Sequence, residues 1–144
     1  MPSLSISLPD LRQSGPLLEV LFTVSKPVQD LLKGSNQPLP EPMSCTALID
    51  TGASTTAMRK GIAQNLNLQP RGVVDIATPS CEKYQCNTFD VSIIFPGHGV
   101  SIPLVTVTEA PLTGQHIDCL IGRDLLMHGI LIYEGYSNRF VLSF

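Results

Sequence analysis

Apolar and polar residues alternate from Ser3 to Leu8 (SLSISL), a period of two that predicts a strand with one buried side. The segment LLEVLFTV, Leu17 to Val24, is more continuously apolar and predicts a more deeply buried strand. Between Val28 and Met43 the pattern breaks: prolines at 38, 40 and 42 block both helix continuation and central-strand pairing, so an exposed loop is expected after at most one helical turn. Further on, Met58, Ile62 and Leu66 recur every four residues with Ala63 beside them, predicting a short helix that Pro70 stops. Strand patterns resume in GVVDIAT, NTFDVSIIF and VSIPLVTVT, separated by turn-rich PSCEK and PGHG, so the middle third predicts hairpins. IDCLIGRDLLMHG then predicts an apolar strand, a glycine turn and a second short helix with Gly129 as its stop, and LIYEGYSNRFVLSF a closing hairpin.

Two of these segments echo each other. ALIDTGAS and CLIGRDLL share a layout of strand, small-residue turn and helix entry, about seventy residues apart, which an internal pseudo-repeat or chance similarity of short apolar strings both explain. Only the first carries an acid at the strand end, Asp50; the second has Gly122 there.

Twelve prolines and eleven glycines in 144 residues cut the chain into short segments and favour a mainly β, single-domain protein with one or two short helices. A net charge of −3 argues against a nucleic-acid-binding face, and 43% hydrophobic content argues against disorder. No apolar run approaches the roughly 18 residues of a membrane span, and the N-terminus lacks the pattern of a signal peptide, so a cytosolic location is expected. Cys45, Cys81, Cys86 and Cys119 form no CxxC pair or zinc spacing, and His98, His116 and His128 stand far apart. Free thiols, no metal and no cofactor are expected. Cys45 and Cys119 lie in apolar strands, where a thiol serves packing rather than nucleophilic attack.

Asp50 ends an apolar strand and precedes a glycine turn, an arrangement that fixes a carboxylate in space; a turn aspartate bonding its own backbone is the plain alternative for an isolated Asp-Thr-Gly. In context, with ALIDTGAS, a hairpin region, DCLIGRDLL and a final strand pair ending RFVLSF, the sequence resembles the retropepsin-like aspartic proteases from about Ser3 to Phe144. The resemblance implies a closed β-barrel or sandwich of short strands, with residues 28–43 as a loop insertion. It implies that Asp50 is the catalytic carboxylate, that Thr51 links two active-site turns across a dimer, that Gly52 lets them approach and that Ala53 lines the pocket. Gly122, Arg123 and Asp124 would brace the active-site layer.

Hydrolysis of a peptide bond by water needs one group to accept a proton from water and another to give one to the carbonyl oxygen. Two carboxylates about 3 Å apart share a proton and supply both, with aspartic proteases as the standard instance. None of the other aspartates, Asp10, Asp30, Asp75, Asp90, Asp118 and Asp124, precedes Thr-Gly, so a homodimer that sets Asp50 against its copy is expected. The terminal strands are apolar enough to pair between protomers or within one chain. A peptide or protein substrate would lie extended in the groove under a flap, with Thr78, Pro79, Ser80, Cys81 and Tyr84 as flap candidates in IATPSCEKYQCNT. That stretch lacks the glycines of viral flaps, and Cys81 and Cys86 would face each other if Lys83 and Tyr84 formed its turn, either bonded or as two free thiols. Two alternatives stand beside the protease: a catalytically inactive dimerisation or peptide-binding module of the same fold, and a self-processing piece of a larger polyprotein, against which the initial methionine argues.

Overall fold

The protein was analysed as a computed structural model that describes residues 1–77, 83–112 and 116–144. In chain order the elements are β1 (Ser3–Ser7), α1 (Leu11–Ser14), β2 (Leu17–Val24), α2 (Lys26–Gly34), β3 (Met43–Ile49), β4 (Ala57–Arg59) and α3 (Ile62–Asn65). Then follow β5 (Gly72–Ala77), β6 (Lys83–Phe95), β7 (Val100–Ala110), β8 (Cys119–Ile121), α4 (Arg123–Leu126), β9 (Ile130–Glu134) and β10 (Arg139–Ser143).

The larger sheet runs β2-β3-β8-β4-β7-β6-β5, and β2 also pairs with β6, from Leu21 opposite Ile94 to Val24 opposite Val91. That pairing closes β2, β3, β8, β4, β7 and β6 into a barrel and leaves β5 as an arm on the outer edge of β6. Closure removes the exposed edges an open sheet would carry. The apolar runs fill the interior: Val20, Phe22, Ala47, Met58, Val91, Ile93, Val107 and Ile121 are fully buried. Pro103 is tolerated inside β7 because the register shifts there, with Val91 opposite Val105 but Ile93 opposite Ile102.

A smaller sheet, β1-β10-β9, covers one end. Its alternation works as the SLSISL pattern demands: Leu4 faces Leu142 across the strands, Ile6 faces Phe140, and Leu4, Phe140 and Leu142 are buried. The terminal strands therefore pair with each other inside one chain.

The structure departs from the sequence expectations at four points. Residues 28–34, expected as loop, belong to the nine-residue helix α2; Pro27 sits in its first turn, where proline is tolerated, and Lys26 pairs with Asp30 one turn on at 2.6 Å. Val28, Leu31 and Leu32 recur along it at helical spacing, but the prolines that follow dominate the reading, and none of its residues is buried. With α1, also unforeseen, the described residues hold four α-helices where one or two were expected. Met58 belongs to β4, because Gly61, at φ +100°, breaks the chain before α3; Met58, Ile62 and Leu66 share one core from two elements. Lys83 and Tyr84 lie in β6, opposite Ala77 and Ile76, so they are strand rather than turn residues.

Candidate active site

Asp50 follows the last residue of β3, a strand held on both sides. β2 runs antiparallel to it, and β8 runs parallel with Ala47 beside Cys119, Leu48 beside Leu120 and Ile49 beside Ile121. The two echoing segments of the sequence thus lie in register, and the Asp50 N–H donates to the Ile121 carbonyl at 2.9 Å. The carboxylate is fixed from its own turn: the Gly52 N–H donates to Asp50 Oδ1 at 2.9 Å, and the Ala53 N–H to the Asp50 carbonyl at 3.2 Å. The side-chain bond to Gly52 is itself an Asx-turn contact, so fixed acid and turn aspartate describe one geometry. Gly52 does not require a left-handed backbone; a Cβ there would stand 3.1 Å from Asp50 Oδ1, so glycine keeps the carboxylate unobstructed. Asp50 is half-buried, and Thr51 and Gly52 are exposed.

The Gly122-Arg123-Asp124 turn braces this loop from below. Asp124 accepts three hydrogen bonds, from the Thr56 N–H at 2.9 Å, the Thr56 hydroxyl at 2.7 Å and the Leu125 N–H at 2.9 Å. Thr56 Oγ1 in turn accepts from the Gly122 N–H at 3.1 Å. Arg123 adds its own links, the backbone N–H to the Ala53 carbonyl at 2.8 Å and Nη1 to the Thr51 carbonyl at 2.7 Å. Gly122 meets a strict spatial demand: a Cβ there would lie 2.5 Å from the Thr55 carbonyl carbon and 2.6 Å from its oxygen. No side chain, and so no acid, fits at the position beside Asp50.

Two residues of this frame escaped the sequence reading. Thr56 is fully buried and joins both turns; a hydroxyl flanked by buried Ala57 and Met58 was the available signal. Asp118, ahead of β8, accepts from the Thr46 N–H at 2.9 Å and pairs with Arg59, tying β3, β8 and β4 together.

A cavity of about 560 Å³ opens beside the Asp50 turn, lined by Gly52, Ala53 and Thr55 on one side and Ile76, Ala110 and Leu120 on the other. Ala53 borders this cavity. β5 supplies Val74, Asp75 and Ile76 to its wall and pairs antiparallel with β6, Val74 opposite Cys86 and Ile76 opposite Tyr84. Thr78, Pro79, Ser80 and Cys81 lie outside the described residues, as does the Cys81–Cys86 pairing. Cys45, Cys86 and Cys119 are buried free thiols. Burial pushes the Cys45 thiol up to about 12, with the Asp118 carboxylate adding to the effect, and burial likewise raises Cys86 and Cys119. None is poised as a nucleophile. No cluster of His, Cys, Asp and Glu among the described residues suits a metal, and no helix among them is long and apolar enough to cross a membrane.

No protein-family model matches the chain, and no curated protein matches it. Among solved structures it is similar to a retropepsin-like aspartic protease from Rickettsia conorii, at 17% identity and a TM-score of 0.57 over 99% of this chain and 91% of that one. A second match is the retroviral protease-like domain of Ddi1 from Leishmania major, at 20% identity and a TM-score of 0.42 over 86% of each chain. In its closed barrel, its appended hairpin and the register of its two echoing strands, the chain has the retropepsin-like fold.

Proposed function

We propose that the protein is an aspartic endopeptidase that works as a homodimer, with Asp50 of each copy supplying one carboxylate of a shared pair. The observation that carries this reading is the closed space at Gly122. Asp50 is held at a strand end with its carboxylate oriented, while the adjoining position on the parallel strand admits no side chain, which supports a second acid supplied by another copy. A two-fold axis beside the exposed Thr51–Gly52 turn would bring the two Asp50 carboxylates together.

Such a pair holds one proton between two acids, because both cannot ionise at close range, and its titration belongs to the pair. The ionised member takes a proton from a water molecule as that water attacks the scissile carbonyl carbon. The protonated member gives its proton to the carbonyl oxygen, and collapse of the resulting diol breaks the C–N bond with the proton passing to the amine. Thr51, Gly52 and Ala53 set the turn, and Gly122, Arg123 and Asp124 with Thr56 hold it rigid. An extended peptide would lie in the cavity beside the turn, against the edge of β5, with the β5–β6 hairpin as a flap.

The test is to incubate wild type and Asp50→Ala with a peptide library at acidic and neutral pH. Cleavage by wild type alone supports the endopeptidase. Equal cleavage by both, or none by a folded wild-type dimer, leaves the inactive module of the same fold as the better description.

A further inference from the structure

Helix α2 begins without a cap. Ser25, the residue before it, makes no side-chain hydrogen bond to the first turn, and that turn holds no acidic side chain. A serine in this place ordinarily satisfies one of the helix's orphan donors. Here the Lys26 and Val28 N–H groups have no acceptor among the described residues, Pro27 between them has no N–H to offer, and the positive end of the helix dipole is left uncompensated. Ser25 is only 2% exposed, yet its hydroxyl also has no partner among the described residues. Every fully enclosed side-chain N or O atom among those residues is hydrogen-bonded, so the little surface that Ser25 keeps belongs to its hydroxyl.

That hydroxyl opens on a cavity of about 470 Å³, bordered by the start of α2, residues 67–71 and strands β6 and β7. Its size falls within the ~300–1,000 Å³ range of small-ligand sites, and it shares no lining residue with the cavity beside Asp50. Arg71 and Asp90 both border it. Asp90 Oδ2 receives Arg71 Nη1 at 3.2 Å, and Asp90 Oδ1 accepts from the Thr106 hydroxyl at 2.6 Å, so both oxygens of that acid are taken. The guanidinium has five N–H donors and a side chain 69% exposed, which leaves donors for a ligand. Arg71 and Asp90 offset each other's charge, and the helix end tips the balance to positive. Apolar side chains complete the wall, among them Val24, Leu68 and the exposed Val28 and Leu104. Asn67 and Gln69, both exposed, add side-chain amides.

From this set we infer that the cavity binds the C-terminal end of a peptide whose last residue is apolar. The terminal carboxylate accepts from the Lys26 and Val28 N–H groups, the Ser25 hydroxyl and Arg71, while the last side chain lies on Val28 and Leu104. Val28 lends the site both a backbone donor and an apolar side chain, so acid and apolar group must arrive close together. The last residue of a chain meets that demand, because its carboxylate and its side chain share one carbon. An inorganic anion would leave the apolar wall unused, and an apolar molecule without an acid would leave Ser25 and the helix end unpaired. Asn67 and Gln69 are then available to the peptide's own amides. The assignment is independent of the reading of Asp50, although an endopeptidase would itself generate such chain ends.

The experiment is calorimetric titration of the full chain with acetyl-Ala-Ala-Leu, as the free acid and as the C-terminal amide, with NMR amide shifts to locate the bound peptide. The acid is expected to bind at one site and to move the Lys26, Val28 and Arg71 amide signals. The amide is expected to bind about tenfold more weakly or worse, as loss of hydrogen bonds to a charged group demands. Arg71→Leu is expected to weaken the acid about tenfold and Ser25→Ala about fivefold, the latter with an unchanged urea midpoint, since that hydroxyl bonds nothing in the free protein. Asp50→Asn is expected to bind the acid as wild type does, which separates this site from the Asp50 cavity. Isovalerate, a branched apolar acid without a peptide chain, is expected to bind more weakly than the tripeptide; equal affinity overturns the peptide assignment. Should Arg71→Leu fail to fold, the wild-type shifts and the comparison of acid with amide decide. Equal binding of acid and amide, shifts confined to the Asp50 turn, or no binding at millimolar peptide overturns the site.

Discussion

Asp50 and Gly122 stand side by side at the ends of two parallel strands, joined through the hydrogen bond from the Asp50 N–H to the Ile121 carbonyl, and only the first position has room for a side chain. A single chain therefore cannot furnish the second acid by mutation at its own echo. Gly122→Ala is expected to destabilise the protein by about 1–3 kcal/mol, the usual cost of forcing atoms into a packed site, read from the midpoint of urea unfolding. Gly122→Asp is expected to fold worse still and to gain no activity as a monomer.

Asp124 carries more of the brace than Arg123. Three hydrogen bonds converge on its carboxylate, two of them from fully buried Thr56. Asp124→Ala is expected to cost about 2–4 kcal/mol, because hydrogen bonds to a charged acceptor are lost and the Thr56 donors are left stranded. Thr56→Val removes the same side-chain link from the other end. The double variant is expected to lose less than the sum of the two, by about 1 kcal/mol or more, in a double-mutant cycle on unfolding free energy.

The sequence showed most of the frame and little of its detailing. β2 was legible to the residue from the run LLEVLFTV, and the echo between ALIDTGAS and CLIGRDLL became the parallel β3–β8 pair, because period-two apolar runs and glycine turns act locally. What was not legible depends on contacts between distant segments. Helix α2 buries nothing, and its short Val28-Leu31-Leu32 stripe was masked by the proline-rich stretch behind it; Met58 mimicked a helical period from a neighbouring strand, and Thr56 and Asp118 acquire roles only once residues about seventy positions apart meet. Whether the termini pair within or between chains is likewise a question of tertiary geometry, which the sequence left open and the β1–β10 register answers.

The buried thiols predict an alkaline limit to stability. The Cys45 thiol ionises near 9 when unfolded and is pushed up to about 12 in the fold, chiefly by burial. Below pH 9 both states hold the proton and the thiol contributes no pH dependence; as pH rises above 9 the unfolded state alone loses it, so stability falls until about pH 12. Urea midpoints measured from pH 7 to 11 are expected to decline above 9, and Cys45→Ala is expected to flatten part of that decline. At pH 8 a maleimide probe is expected to leave Cys45, Cys86 and Cys119 unlabelled in the native protein and to label all three in denaturant, as mass spectrometry of the digested chain would show.

Asp118 offers a check on the frame away from the turn itself. It bonds the Thr46 N–H and pairs with Arg59 across β3, β8 and β4. Asp118→Ala is expected to lower stability by about 1–3 kcal/mol, whereas Arg59→Ala, losing a partly exposed ion pair, is expected to cost about 1 kcal/mol or less.

The most direct test of a site shared between two copies is to mix subunits. Wild type and Asp50→Asn, each folded and dimeric, are combined in equal amounts, allowed to exchange, and assayed for peptide cleavage at fixed total protein. If each site needs Asp50 from both copies, only wild-type pairs cleave, and activity is expected to fall to about a quarter of the wild-type value. Once exchange is complete, activity of about a half would mean that each subunit works through its own Asp50, and about three quarters that one Asp50 per dimer suffices; either would contradict the shared site.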